Sequence, residues 1–243
     1  MPTVTFTRMR VQEIWRYPVK SIGGEQLPEA EVTSTGISGD RGWGVFDAAT
    51  GTVLTARRTP ELLFAVARVV DGELVITLPD GGEIGADGHV EMSAWLGREV
   101  EIRSAAGSAG GVYENPRNAE EETDWVQWQG PSDAWHDSGH TRLSLVSAAS
   151  LGDWDIRRFR TNVLTDSEGE DAFVGGVVRV GAIEYDATKR VARCVMVTRP
   201  QSGLDRDLDV LRTVNRERGG GLSIGLMPRA GGRIAVGDEV SPT

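Results

Sequence analysis

Cys194 is the only cysteine among 243 residues, and it stands in Arg190-Val-Ala-Arg193-Cys194-Val-Met-Val-Thr198 with an arginine directly before it. The β-branched residues of this stretch favour a strand. In such a strand a lone cysteine reads as an inert, small core residue. The other reading is a thiolate stabilised by the adjoining cation. Soft thiolate ligands suit a redox-active transition metal, whereas hard oxygen ligands do not. Spacing alone leaves both readings open. A single cysteine does exclude an internal disulfide framework and any zinc site built on several thiolates.

Four cationic stretches sit where strands are expected to end. They are Arg16-Tyr17-Pro18-Val19-Lys20-Ser21, Gly39-Asp40-Arg41-Gly42, Thr55-Ala56-Arg57-Arg58 and Arg158-Phe159-Arg160-Thr161-Asn162. Each alone reads as solvated surface charge. Together, in a chain of formal net charge −10, they could converge on one small anion, since arginine forks and lysine ammonium groups are the usual receivers of phosphate. The same acidic balance disfavours a nucleic-acid partner, because the global field repels phosphate backbones.

Two other motifs carry less. Gly221-Leu-Ser223-Ile-Gly225 matches the nucleophile-elbow pattern, but a helix is expected before it and all three histidines lie upstream, which is the wrong context for a hydrolase. His136-Asp137-Ser-Gly-His140 could suggest a metal pair. Gly139 disfavours the helix that would align the two imidazoles, so a loop pair is the simpler expectation.

The elements expected to position these residues are mostly short strands. Thirty-one glycines and ten prolines fit a mainly β fold with many turns. Leu63–Val70 and Glu73–Leu78 flank Asp71-Gly72, a dipeptide suited to a type I′ hairpin. Gly44–Asp47 with Thr52–Thr55 suggests another hairpin, as does Val177–Val180 with Ala182–Tyr185 around Gly181. Leu204, Leu208, Leu211 and Val214 recur at helical spacing and predict a helix over Asp205–Arg218, stopped by Gly219-Gly220-Gly221. Ser147 is a good N-cap for a short helix after it. From Ser104 to His140 the pattern dissolves, and the Glu120-Glu121-Glu122 run adds charge. This stretch reads as a long surface connection, or as a lid that Trp125, Trp128 and Trp135 help to seat. Hydrophobic residues at 39% and charged residues at 26% are ordinary for a soluble globular chain. Apolar runs too short to span a bilayer and the lack of an apolar stretch in Met1–Arg10 lead to an expected cytoplasmic location without a membrane partner.

Taken in order, Tyr17-Pro18-Val19-Lys20-Ser21, Gly39-Asp40-Arg41, Thr55-Ala56-Arg57, Arg158 to Asn162, Arg193-Cys194 to Thr198 and Val236-Gly237-Asp238 resemble the MOSC family, from Val11 to about Val240. The resemblance implies a MOSC-type β-barrel with an N-terminal β-barrel-like domain and a few short helices. It divides the chain into residues 1–104, a connecting segment or lid over 105–140, and a MOSC domain over 141–243. It also implies a pyranopterin–molybdenum cofactor. Relatives such as the mitochondrial amidoxime-reducing component reduce N-hydroxylated compounds. Their metal-ligating cysteine falls on Cys194. Their cofactor-holding residues fall on Lys20, Ser21, Arg41, Ser147, Arg160 and Asn162, with Arg57 and Arg193 in matching stretches, and an acidic residue near the metal falls on Asp137.

The activity so implied is reduction of a small N-hydroxylated or N-oxygenated substrate, with Cys194 and Asp137 as catalytic residues. The alternative is a sulfur-carrier or cofactor-delivery protein that uses Cys194. Thr161 replaces a proline common in the family, and Ser150–Arg157 is shorter than in many relatives. The single cysteine cannot hold an iron–sulfur cluster, so a reductase of this kind is expected to draw on a separate electron-donor protein.

Overall fold

The computed structural model describes residues 9–118 and 123–243; the glutamate run at 120–122 and most of the N-terminal stretch lie outside them. The chain is mainly β, as expected. Strand β1 (Met9–Arg16) is followed by β2 (Glu25–Leu27), β3 (Glu29–Thr33), β4 (Gly36–Ile37) and β5 (Trp43–Asp47). Next come β6 (Val66–Val70), β7 (Glu73–Thr77), β8 (Glu83–Ile84), helix α1 (His89–Leu96), β9 (Val100–Ser104), β10 (Val112–Asn118) and β11 (Thr123–Gln129). The second half holds β12 (Leu143–Ser147), α2 (Ala148–Leu151), β13 (Val163–Thr165), β14 (Val177–Val180) and β15 (Ile183–Ala192). It ends with α3 (Asp209–Arg218), β16 (Gly221–Pro228), β17 (Gly232–Ala235) and β18 (Glu239–Pro242).

Seven strands close a barrel in the order β13-β12-β16-β15-β14-β18-β1, with β1 returning to β13 and β2 appended beside β1. Closure removes the open edges that an isolated sheet would leave. Its interior is packed with Val11, Ile14, Leu145, Val163, Val178, Tyr185, Ile224 and Leu226, the inward-facing alternates of the strands. The barrel of the C-terminal half is therefore completed by the first strand of the chain. In exchange, β17 pairs with β3 of the N-terminal half. The N-terminal half gathers small sheets around a second core that includes Val19, Ile22, Leu62, Ile76, Met92 and Ile102.

The structure refines several expected elements. The Asp71-Gly72 turn is present with both residues at positive φ, as a type I′ turn requires. The strand before it starts only at Val66, because Pro60–Phe64 form a 3-10 turn. Thr52–Thr55 contribute a single bridge, Val53 to Phe46, and the main partner of β5 is β9. The predicted strand across Cys194 stops at Ala192. Val195–Thr198 close a 3-10 turn, held by Val197 N donating to Cys194 O and Thr198 Oγ1 to Val195 O. Helix α3 begins at Asp209, four residues later than predicted. The Asp207 carboxylate takes the Asp209 N–H while Thr198 O takes the Asp207 N–H, a local arrangement that competes with helix. Leu208 consequently lies 43% exposed and off the buried face. The stretch read as irregular contains the β10–β11 hairpin.

Candidate functional site

Three loops meet above the open end of the barrel near β13. The Tyr17–Ser21 segment leaves β1, and Asp40-Arg41 lies in a tight turn whose Arg41 N–H donates to Tyr17 O. The loop 158–162 leads into β13. Tyr17 is 1% exposed and its ring meets two guanidinium groups, with Arg41 at 4.9 Å and Arg160 at 4.5 Å from the ring centroid. Arg41 Nη2 donates to Arg160 O at 2.9 Å. Arg160 donates to the carbonyls of Ile22 and Val19. Burial and the charge of Arg41 push Arg160 down to about 10.

Asp40 ties this assembly together. Its Oδ1 accepts from Tyr17 N at 2.8 Å, and its Oδ2 accepts from Arg41 Nη1 and from Asn162 Nδ2. Asn162 also accepts at Oδ1 from Ser144 N and Oγ, and donates to Trp15 O. Its amide is thus engaged on every side within the protein.

Lys20 is 4% exposed. Its ammonium donates to Trp135 O at 3.2 Å and Asp137 Oδ1 at 2.5 Å, and lies 4.4 Å from the Tyr113 ring centroid. Burial lowers its proton affinity, and Asp137 opposes that shift. The Asp137 side chain is 90% exposed. Burial acts to raise its carboxyl, but Lys20 outweighs this and holds it at about 2.

Arg193 braces the floor under Cys194. Its guanidinium donates to Leu222 O, Phe159 O, Thr161 Oγ1 and Ser223 Oγ. Desolvation pushes it down to about 10, with Cys194 opposing. Cys194 itself is half-buried and free of any disulfide, placed where β15 gives way to the 3-10 turn. Four non-glycine residues of this shell hold positive φ: Ser21 at 67°, Arg41 at 52°, Arg160 at 51° and Ser223 at 68°. The other three described cases are aspartates, which tolerate that region better. Such strain costs about 1–3 kcal/mol per residue and collects at functional sites.

Comparison with known proteins decides the family. The MOSC N-terminal beta barrel domain matches residues 8–115, and the MOSC domain matches residues 131–241. The chain belongs to the MOSC family. A molybdenum cofactor sulfurase of Drosophila grimshawi is 24% identical over 281 residues, which cover 96% of this chain and 34% of the sulfurase. The chain therefore spans about a third of that relative's length. The YUAD protein of Bacillus subtilis shares the fold, with a TM-score of 0.51 at 10% identity over 96% of this chain and 94% of that one. YiiM of Geobacillus stearothermophilus overlaps less, at a TM-score of 0.36 and 12% identity over 56% of this chain and 73% of that one.

Within this MOSC chain, the structure brings Lys20, Arg41, Arg160, Arg193 and Asp137 into mutual electrostatic range. Ser21 follows Lys20 in the chain, and its Oγ is turned to the 55–58 segment, accepting from Ala56 N at 2.9 Å. Arg57 is turned to the hairpin, donating to Asn115 Oδ1 at 2.8 Å. Ser147 stands apart. Asn162 meets Ser144 at one end of β12, whereas Ser147 pairs with Thr165, three residues further along, or about 10 Å at strand rise. Ser147 caps α2 and donates to Glu170 Oε2 at 2.6 Å, so an anion there would face a buried carboxylate.

Tyr17, Asp40, Tyr113 and Ser223 complete the shell without having been singled out as site residues. Tyr113 comes from the hairpin, and Gly130 lets it fit: a Cβ there would lie 2.1 Å from the Tyr113 ring. Ser223, the serine of the elbow-like motif, is fully buried inside β16 as an acceptor for Arg193. Trp135 lies buried against Phe46, 5.2 Å between ring centroids. His136 is 7% exposed and its Nε2 faces Thr35 O at 3.1 Å. No group of three or more His, Cys, Asp or Glu able to hold a metal occurs among the described residues.

Burial pushes His136 down to about 4. Its folded pKa lies below the unfolded value, so the unfolded chain binds the extra proton first and stability is lost as pH falls from 6.5 toward 4. Between pH 7 and pH 5 this group should remove roughly 2 kcal/mol of stability. Urea unfolding at both pH values checks it, with His136→Gln expected to show a much smaller pH difference. An equal difference in the variant would assign the pH sensitivity elsewhere.

Proposed function

We propose that this MOSC protein holds a molybdenum cofactor and reduces small N-hydroxylated or N-oxygenated substrates with electrons from a separate donor protein. The observation that carries this reading is the charge of the site. Asp137 pairs with Lys20 and Asp40 with Arg41, whereas the guanidinium groups of Arg160 and Arg193 donate to carbonyl and hydroxyl oxygens. Excess buried cation is costly unless an anion joins it, and the half-buried thiol of Cys194 adjoins Arg193. These residues fit an anionic pterin bearing a soft metal.

Lys20, Ser21, Arg41 and Arg160 would hold the anionic part, and Cys194 would supply the thiolate to the metal. Arg57 would act through the hairpin, and Asn162 by fixing Asp40. When bound, the cofactor supplies the two-electron chemistry of oxygen removal. Arg193 keeps positive charge beside Cys194 and, bonded to Leu222, Phe159 and Ser223, orients the turn that carries it. Asp137 would stand beside the bound cofactor as a fixed negative charge. Held ionised at about 2 by Lys20, it has no proton to donate at neutral pH and is only a weak base until Lys20 turns to another anion. Residues 1–104, 105–140 and 141–243 remain our proposed division of the chain. No helix among the described residues is long and apolar enough to cross a membrane, and a cytoplasmic location is part of the proposal.

The sulfurase relative favours a second reading, in which Cys194 carries sulfur or passes the cofactor to an acceptor. Protein purified from a cofactor-competent host separates the two. A reductase holds about one molybdenum per chain and, once reduced, is reoxidised by a hydroxylamine-type substrate. Labile sulfur on Cys194 with no such reoxidation would establish the carrier instead.

A further inference from the structure

The ammonium of Lys20 is enclosed on all sides but one. The Trp135 carbonyl accepts from it at 3.2 Å, and the Tyr113 ring covers it with the centroid at 4.4 Å. Only 5% of the Lys20 side chain is exposed. The remaining approach is taken by Asp137, whose carboxylate bonds Lys20 at 2.5 Å and has no other hydrogen-bond partner among the described residues. Asp137 therefore reaches Lys20 from the solvent side, and an anion approaching Lys20 from solvent meets the carboxylate first.

The backbone that carries Asp137 is anchored. Trp135 N donates to Arg41 O at 2.8 Å, and His136 is buried with its ring against Thr35 O. Asp137 can thus leave Lys20 by side-chain rotation alone. Its exposed oxygens are readily hydrated, so the carboxylate itself loses little on leaving, and the buried Lys20 ammonium stays neutralised because the incoming anion takes the vacated place.

We propose that Asp137 is a tethered competitor for the Lys20 ammonium, and that it makes the site selective for phosphate-type dianions over monoanions such as carboxylates. The inference rests on reading the Lys20 cluster as an anion site, but not on the metal. A free monoanion that replaces Asp137 gains no charge over the tethered carboxylate and must also give up its own freedom. A dianion brings twice the charge toward Lys20, Arg41 and Arg160 at the same distance. Specificity then comes from the competing interaction built against the wrong ligand. Because the Lys20 ammonium holds Asp137 ionised at about 2, the competitor is charged throughout the neutral range.

The test uses the full chain made in a host unable to synthesise the pterin, titrated calorimetrically at pH 8 and fixed ionic strength with inorganic phosphate and, separately, acetate. Wild-type protein is expected to bind phosphate and to show no heat with acetate. Asp137→Asn should bind phosphate about tenfold more tightly and bind acetate measurably, while Lys20→Met should bind neither. Circular dichroism confirms the fold, and Asp137→Ser replaces the asparagine variant if that one does not fold. Unchanged or weaker phosphate binding on loss of the carboxylate would overturn the proposal, as would an absence of phosphate binding in wild type and variant alike. Molybdenum content of protein from a competent host is measured separately, so failure of the selectivity inference and failure of the cofactor reading are distinguishable.

Discussion

Asp40→Ala should lower the free energy of unfolding by about 3–5 kcal/mol, the usual result of removing one partner from a buried ion pair. The Asp40 side chain has no exposed surface and Arg41 has 14%. Without the carboxylate, the guanidinium of Arg41 keeps its packing beside Tyr17 and Arg160 but loses the charge that neutralises it. Tyr17 N and Asn162 Nδ2 lose their acceptor in the same step, and water has no easy route to replace it. Asp40→Asn restores the shape but not the charge, so it should recover only part of the loss. Urea unfolding of the three proteins gives the ordering directly. A loss below about 1 kcal/mol for the alanine variant, the scale of an exposed ion pair, would show that Asp40 does not organise the cluster.

Lys20→Met should behave in the opposite way. Cofactor occupancy is expected to fall at least tenfold while resistance to unfolding stays equal or rises. Lys20 is charged in a buried position whose desolvation lowers its proton affinity, and a buried ion can often be replaced by an apolar residue of similar length without loss of stability. Its partner Asp137 is exposed, so removing Lys20 strands no buried carboxylate. The two variants therefore separate fold from binding: Asp40 chiefly supports the shell, and Lys20 chiefly serves the ligand. Metal content per chain measured beside the unfolding midpoint reads both effects. Undiminished occupancy would remove Lys20 from the binding residues.

Local sequence conveyed the cationic clusters because arginine and lysine at strand ends are visible without knowing the fold. It conveyed the α2 cap because Ser147 acts on a neighbour three residues away. It did not convey how the barrel closes. The β1–β13 pairing joins residues more than 140 positions apart, and no local propensity encodes such a partner. Tyr113 was hidden in a stretch read as irregular, since its contact with Lys20 depends on the hairpin folding back across the site. Periodicity overextended α3 because Leu204 and Leu208 fall at helical spacing, although Asp207 interrupts the backbone before them both can join the buried face. Cys194 looked like a core thiol for as long as it was read inside a strand. The 3-10 turn at Val195–Thr198 instead leaves it half-buried at a strand end.

Molybdenum analysis of the wild-type chain and Cys194→Ser, purified side by side from a cofactor-competent host, decides whether Cys194 ligates the metal. About one molybdenum per wild-type chain is expected, with a large loss in the variant and the fold unchanged. Equal molybdenum in both proteins, or none in the wild type, would contradict that ligation.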